Sequence, residues 1–124
     1  MKKLYILITA ALFLVSCTKR DLLPVEIDVD SWMRTRDRGV VVLVDYYTGN
    51  YIVDTYRGYA VVESWSGIPP REYDLEYALF TMRGVQRIYN YSGNYFLEGR
   101  VVDYWLTWPQ ALDLLDALSY PGGY

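Results

Sequence analysis

Tyr47-Thr48-Gly49-Asn50-Tyr51-Ile52-Val53-Asp54 aligns without a gap against Tyr91-Ser92-Gly93-Asn94-Tyr95-Phe96-Leu97-Glu98, every position identical or conservative. The flanks extend the match. Arg38-Gly39-Val40 precedes the first copy as Arg83-Gly84-Val85 precedes the second, and Val61-Val62-Glu63-Ser64-Trp65 echoes Val101-Val102-Asp103-Tyr104-Trp105. The competing reading is chance, since a bias toward tyrosine and valine can create part of such a match. Each copy reads as strand, Gly-Asn turn, strand: Gly49 and Gly93 supply positive φ, Asn50 and Asn94 tolerate the left-handed region, and Thr48 or Ser92 can bond the turn backbone. The first copy carries extra residues around Arg57-Gly58.

Outward from these turns, β-rich runs predict strands over 40–47, 51–56, 59–65, 74–82, 85–91 and 95–106, with a Gly- and Pro-containing loop over 66–71 and a bulge at Gly99. The spacing between copies, about 45 residues, is that of propeller blades. Two copies cannot close a propeller, so the pattern predicts a mainly β fold: a small antiparallel barrel or sandwich built from two related hairpin units. Thr107-Trp108-Pro109-Gln110 has the form of a capped helix start, and Trp108, Ala111, Leu112, Leu115 and Leu118 fall on one face. A single C-terminal α-helix over about 108–119 is expected to pack across an open end or face of the sheet, with Pro121-Gly122-Gly123 ending it. Asp113 and Asp116 on its other face, with no basic residue, favour core packing over a membrane or partner role.

The amino terminus carries a different kind of signal. Lys2 and Lys3 precede an apolar run from Leu4 that is shorter than the roughly 20 residues needed to span a bilayer. The run closes on Leu14-Val15-Ser16-Cys17, which contains the chain's one cysteine. This segment resembles a bacterial lipoprotein signal peptide with its lipobox. The resemblance implies cleavage between Ser16 and Cys17, a diacylglycerol on the Cys17 sulfur and acylation of its amine. A thiolate is a strong nucleophile and its thioether is stable, which is why the position takes cysteine. Each buried methylene contributes about 0.8 kcal/mol, so two or three acyl chains hold a protein on a membrane where one does not. The competing readings are an ordinary cleaved signal with an incidental cysteine, or an uncleaved anchor. By the same resemblance, Thr18 in place of aspartate points to the bacterial outer membrane, and Lys19 and Arg20 to a domain facing the periplasm. Asp21 leaves surface exposure open. Three segments follow: a signal peptide over 1–16, a lipidated tether over 17–38 and one β-rich domain over 39–124. The ~20 residues of the tether reach about 70 Å when extended. Within it Asp30 or Ser31 can cap a short helical turn through Trp32 and Met33, and Trp32 is able to dock on the domain.

Loss of the signal leaves 108 of 124 residues, with ten basic against fifteen acidic side chains. That length suits one domain without disulfides, and the acidic balance makes nucleic acid an unfavourable partner. There is no histidine. With Cys17 assigned to lipid, the chain lacks a thiol nucleophile, a thiolate metal site and the commonest general base, and no cofactor motif is present. Fourteen tyrosines and four tryptophans supply aromatic surface, which serves first to cover sheets. Lys19 is the one lysine left after cleavage, which suits a compact, charge-paired surface more than a polybasic patch.

Alternation along a strand puts Val61, Glu63 and Trp65 on one face, and Val101, Asp103 and Trp105 on another. A carboxylate beside an indole is a pair that sugar sites use, and two carboxylates could serve as acid and base on a glycoside. Against this stands burial of Trp65 and Trp105 in the core, with the acids paired to Arg57, Arg87 or Arg100. Three classes of function follow: an anchored interaction or structural module binding an envelope protein, a glycan-binding accessory using Glu63, Trp65, Asp103 and Trp105, and, weakest, a carboxylate-dependent hydrolase. Indoles exposed in a cleft favour the glycan; a pocket holding Glu63 or Asp103 near Arg100 or Tyr104 is what an enzyme requires. For the anchor, intact-mass analysis of membrane-extracted protein is expected to give a lipid-bearing chain beginning at Cys17, and Cys17→Ala a protein without that mass, released or mislocalised. An unmodified chain still beginning at Met1 contradicts the resemblance.

Overall fold

The computed structural model describes residues 27–119, so the signal peptide, the Ser16–Cys17 cleavage point, lipidation at Cys17 and the Pro121-Gly122-Gly123 stop lie outside the described residues. The described chain forms α1 (Val29–Thr35), β1 (Asp37–Val44), β2 (Tyr51–Thr55), β3 (Gly58–Ser66), β4 (Leu75–Ala78), β5 (Gly84–Asn90), β6 (Tyr95–Leu106) and α2 (Trp108–Ser119). The six strands close an antiparallel barrel in the order β1-β2-β3-β6-β5-β4, with Asp37 to Val40 of β1 pairing back on Leu75 to Ala78 of β4. Every strand has a neighbour on each side, although β4 meets β5 only through Glu76 with Asn90 and Tyr77 with Tyr89. Of the two architectures the sequence predicts, the barrel is the one formed.

Period-two alternation sends Val41, Val53, Val62, Ile88, Leu97 and Val101 to the barrel interior. Tyr51, Ile52 and Val53 are all fully buried because β2 is covered on both faces: Tyr51 and Val53 point inward, while Ile52 packs outside with Val61 under Ala111 and Leu115 of α2. A bulge between Val41 and Leu43 inserts Val42 into β1, so Val42 and Leu43 both join the cluster under the helix. The helix starts as its sequence predicts. The Thr107 N–H donates to Gln110 Oε1 at 2.9 Å and the Gln110 N–H to Thr107 Oγ1 at 3.4 Å, a reciprocal cap. At the other end Ser119 Oγ donates to the Asp45 carboxylate, tying α2 to the β1–β2 turn.

Both copies of the repeat are hairpins, but matched residues do different work. The β1–β2 loop has Gly49 at φ +81°, and Asn50 is buried, its Oδ1 accepting the Ser64 N–H at 2.8 Å. In the β5–β6 turn Asn94 takes the positive φ, +56°. Gly93 is needed there for space, since a Cβ would sit 2.4 Å from the Tyr95 ring. Thr48 Oγ1 accepts the Asn50 N–H inside its own turn, whereas Ser92 Oγ accepts the Leu75 N–H from β4. The extra residues of the first copy form the β2–β3 turn at Tyr56 and Arg57, where the second copy runs straight on as the twelve-residue β6.

Several boundaries differ from the sequence reading. The first strand ends at Val44 because Asp45 Oδ1 accepts the Tyr47 N–H and starts the turn. The fourth is limited to Leu75–Ala78, after which Phe80 buries itself in the core beside Gly39. Gly99 pairs regularly with Gln86 of β5. The extra residue at that level is Trp65 on β3, and Gly99 instead leaves room for Val62 and Ile88. Residues 29–38, read as tether, carry α1 and the start of β1. The α1 cap is Asp28, ahead of the expected Asp30 or Ser31. Trp32 does dock: its Nε1 donates to the Tyr77 carbonyl at 3.0 Å and its ring meets Phe96 edge-on at 5.2 Å.

One inward position is acidic. Glu76 of β4 is fully buried, and neither of its oxygens nor the Tyr51 hydroxyl has a partner at hydrogen-bonding geometry among the described residues. Burial pushes its carboxyl from 4.5 up to about 8, with the Asp74 charge adding to the rise and the nearby Tyr51 and Asn90 opposing it. The folded protein therefore keeps a proton that the unfolded chain releases between pH 4.5 and 8. The Glu76 contribution to stability is greatest below that window and falls as pH rises through it, with a limiting slope of about 1.4 kcal/mol per pH unit. The expected result is a Tm lower at pH 8.5 than at pH 5, by on the order of 10 °C. Glu76→Gln removes most of that drop; equal drops in the two proteins assign it to another group.

Candidate functional site

The four residues singled out in the sequence lie on β3 and β6, which run antiparallel with Val62 opposite Val101 and Val61 opposite Asp103. On β3 the expected shared face is present. Glu63 Oε1 accepts both the Trp65 Nε1 proton at 3.0 Å and the Arg100 Nε proton at 2.9 Å. The Arg100 bond, helped by that from Trp65, holds the Glu63 carboxyl below its usual range against a smaller opposing effect of burial. On β6 the expected face is broken. Val102 is an extra residue between Val101 and Asp103, so Val101 faces the interior while Asp103 stands opposite Val61 on the outside. Asp103 Oδ1 accepts from Arg83 Nη2 at 2.6 Å and from the Tyr104 N–H at 2.9 Å. Arg100 and Arg83 thus take the acids, rather than Arg57 or Arg87.

Both indoles are solvent-facing. Trp65 is 60% and Trp105 56% exposed, which rules out the core placement that competed with a binding role. Trp105 stands at φ +57°, a strained position for a bulky residue that costs on the order of 1 kcal/mol or more. Its ring meets Tyr104 edge-on at 5.3 Å, and the Arg83 guanidinium lies 5.0 Å from the same tyrosine ring. The result is a band of indole and paired charge along the outside of the β3–β6 seam, with Trp65 toward one end and Trp105 toward the other, while Tyr104 packs against the interior cluster. Neither the four residues nor Arg100 and Tyr104 line any of the described cavities.

A second constellation lies at the barrel end where the 45–50, 67–74 and 91–94 connections meet. Tyr46, Tyr47, Ile68, Tyr73 and Tyr91 project from these loops and are all exposed. Between the second and third loops is a cavity of about 320 Å³ lined by Ile68, Pro69, Arg71, Asp74, Ser92 and Tyr95. Its floor is hydrogen-bonded. Asp74 Oδ2 accepts the Arg71 backbone N–H at 3.0 Å and the Asn90 amide at 2.9 Å, while Tyr95 O–H donates to the Pro69 carbonyl at 3.3 Å and accepts from Asn90. Burial and the charges of Asp74 and Glu76 push the Tyr95 phenol up to about 12, so it stays protonated. A larger groove of about 630 Å³ runs between β1 and α2, with Asp45 and Asp116 on it, but it ends at Ser119, the last described residue. The mouth residues escaped the sequence reading because they come from two loops about 20 residues apart. The one available signal was alternation on the 74–82 run, which puts Glu76 in phase with Ala78 and Phe80.

Among the described residues no group of three or more histidine, cysteine or carboxylate side chains is arranged to hold a metal ion, and no helix is long and apolar enough to cross a membrane. No protein-family model, curated protein or solved structure matches the chain. The protein is, by class, a closed six-stranded antiparallel barrel with a helix on its wall, an aromatic band and a polar mouth.

Proposed function

We propose that this chain is a lipid-anchored binding module of the bacterial cell envelope, held through Cys17 on the outer membrane and presenting its barrel to a protein partner in the periplasm or at the surface. The observation that carries the binding role is the exposure of Trp65 and Trp105 beside guanidinium and carboxylate groups. Tryptophan, tyrosine and arginine are the side chains that dominate binding energy at protein interfaces, and a band that lines none of the described cavities suits a broad partner surface. The anchor rests on Lys2, Lys3 and the Leu14-Val15-Ser16-Cys17 resemblance. Exposure of both indoles also sustains a glycan-binding reading with Glu63 and Asp103 as hydroxyl acceptors, although the absence of either residue from the described cavities favours the protein. A hydrolase is not proposed: the Arg100 bond that stabilises ionised Glu63 disfavours it as a general acid.

The test is photo-crosslinking from position 65 in intact cells, compared with crosslinking from exposed Arg38 on β1, a strand that pairs with neither β3 nor β6. A discrete envelope-protein adduct from position 65, absent from position 38 and lost in Trp105→Ala with unchanged Tm, supports the reading. No adduct from position 65, together with binding of the purified domain to envelope polysaccharide that Trp65→Ala weakens by about tenfold or more, transfers the band to the glycan alternative.

A further inference from the structure

We infer that the barrel mouth is a binding site for a small zwitterion, a free amino acid whose ammonium and carboxylate are held by Asp74 and Arg71. The inference is independent of the anchor and of the tryptophan band. Arg71 and Asp74 line one cavity with opposite formal charges, yet no ion pair joins them. Arg71 is exposed, and its guanidinium has no hydrogen-bond or ion-pair partner among the described residues. Asp74 uses only Oδ2 for its two internal bonds, which leaves Oδ1 free. Ser92 accepts the Leu75 N–H and keeps its own hydroxyl proton for a ligand.

Charge decides the ligand class. An anion that reaches Arg71 meets Asp74, a cation that reaches Asp74 meets Arg71, and a neutral polyol leaves both charges uncompensated. A molecule with both charges on one carbon complements the pair and forms charge-assisted bonds at each end. Its side chain would meet Ile68, Pro69 and the Tyr95 ring, the apolar part of the lining. At about 320 Å³ the cavity is at the small end of ligand pockets. The walls are already in place: Asp74 is locked by two donors, and Tyr95 is fixed between Asn90 and Pro69 with its ring against Gly93. Only the Arg71 side chain remains to be ordered when a ligand enters, which limits the entropic cost to that one group.

The experiment titrates the purified mature chain with glycine, L-leucine and L-phenylalanine while amide shifts are followed by NMR. Saturable changes at residues 68–74 and 91–95 are expected. N-acetyl-leucine and leucine amide, each with one of the two charges, should bind about tenfold more weakly or worse, the loss of one charged hydrogen bond. Arg71→Gln, on an exposed side chain, should weaken leucine by a similar factor with unchanged Tm, and Asp74→Asn, which keeps the size of the side chain, should abolish the preference for leucine over N-acetyl-leucine. No saturable shift at millimolar amino acid, equal responses to leucine and its two capped forms, or an equal response to N-acetylglucosamine each overturns the inference.

Discussion

The pairing of β1 with β4 is the constraint on which the rest of the structure depends. β4 is only four residues long, yet its bonds to Asp37 through Val40 turn a six-stranded sheet into a barrel and give the chain an inside. An interior that small restricts what can fill it. Valine and alanine dominate, Gly39 and Gly99 stand where a Cβ would strike Val53, Phe80 or Val62, and Phe80 is buried just past the end of β4. The same closure draws Glu76 into the interior, because β4 carries it one step from Ala78 on the inward face. A buried carboxyl without a partner is costly to ionise, so holding the proton is how the fold accommodates it.

Closure also separates two outer surfaces. α2 covers β2 and β3 on one side of the wall, seated on the residues that the β1 bulge turns outward, and this leaves the β3–β6 seam beyond it free. Bulges at Trp65 and Val102 lift the aromatic and charged side chains of that seam toward solvent. The loops at the Tyr46–Tyr91 end remain uncovered and collect the mouth cavity. The two candidate surfaces thus sit where the strands are irregular or finished, while the regular parts of the barrel supply rigidity.

Much of the fold was legible because its signals are local. Thr107 and Gln110 mark the start of α2 three residues apart, and Tyr95 to Leu106 reads as one long β run. The repeat located both hairpins correctly, yet it concealed the different roles of Gly49 and Gly93, since one needs backbone freedom and the other needs only space beside a ring. Glu63 with Trp65 was recognisable as a same-face pair. Val101 with Asp103 looked like the same pattern, because the bulge at Val102 that separates them is defined by β3 opposite and leaves no mark in the β6 sequence. Arg83 as the partner of Asp103 was missed for the same reason: the two meet only through strand pairing.

By itself the sequence determined the number and order of strands, the two turns between Val44 and Tyr51 and between Asn90 and Tyr95, and the C-terminal helix. These follow from turn chemistry, capping and alternation, each of which acts within a few residues. Only the tertiary structure decided that the sheet closes, which indole lies on which face, that Glu76 is inside, and that Arg71, Asp74, Ser92 and Tyr95 share one mouth. Those outcomes depend on which strand lies opposite which, and in what register. That choice is made by the packing of the whole barrel against its helix, and no short window of residues contains it.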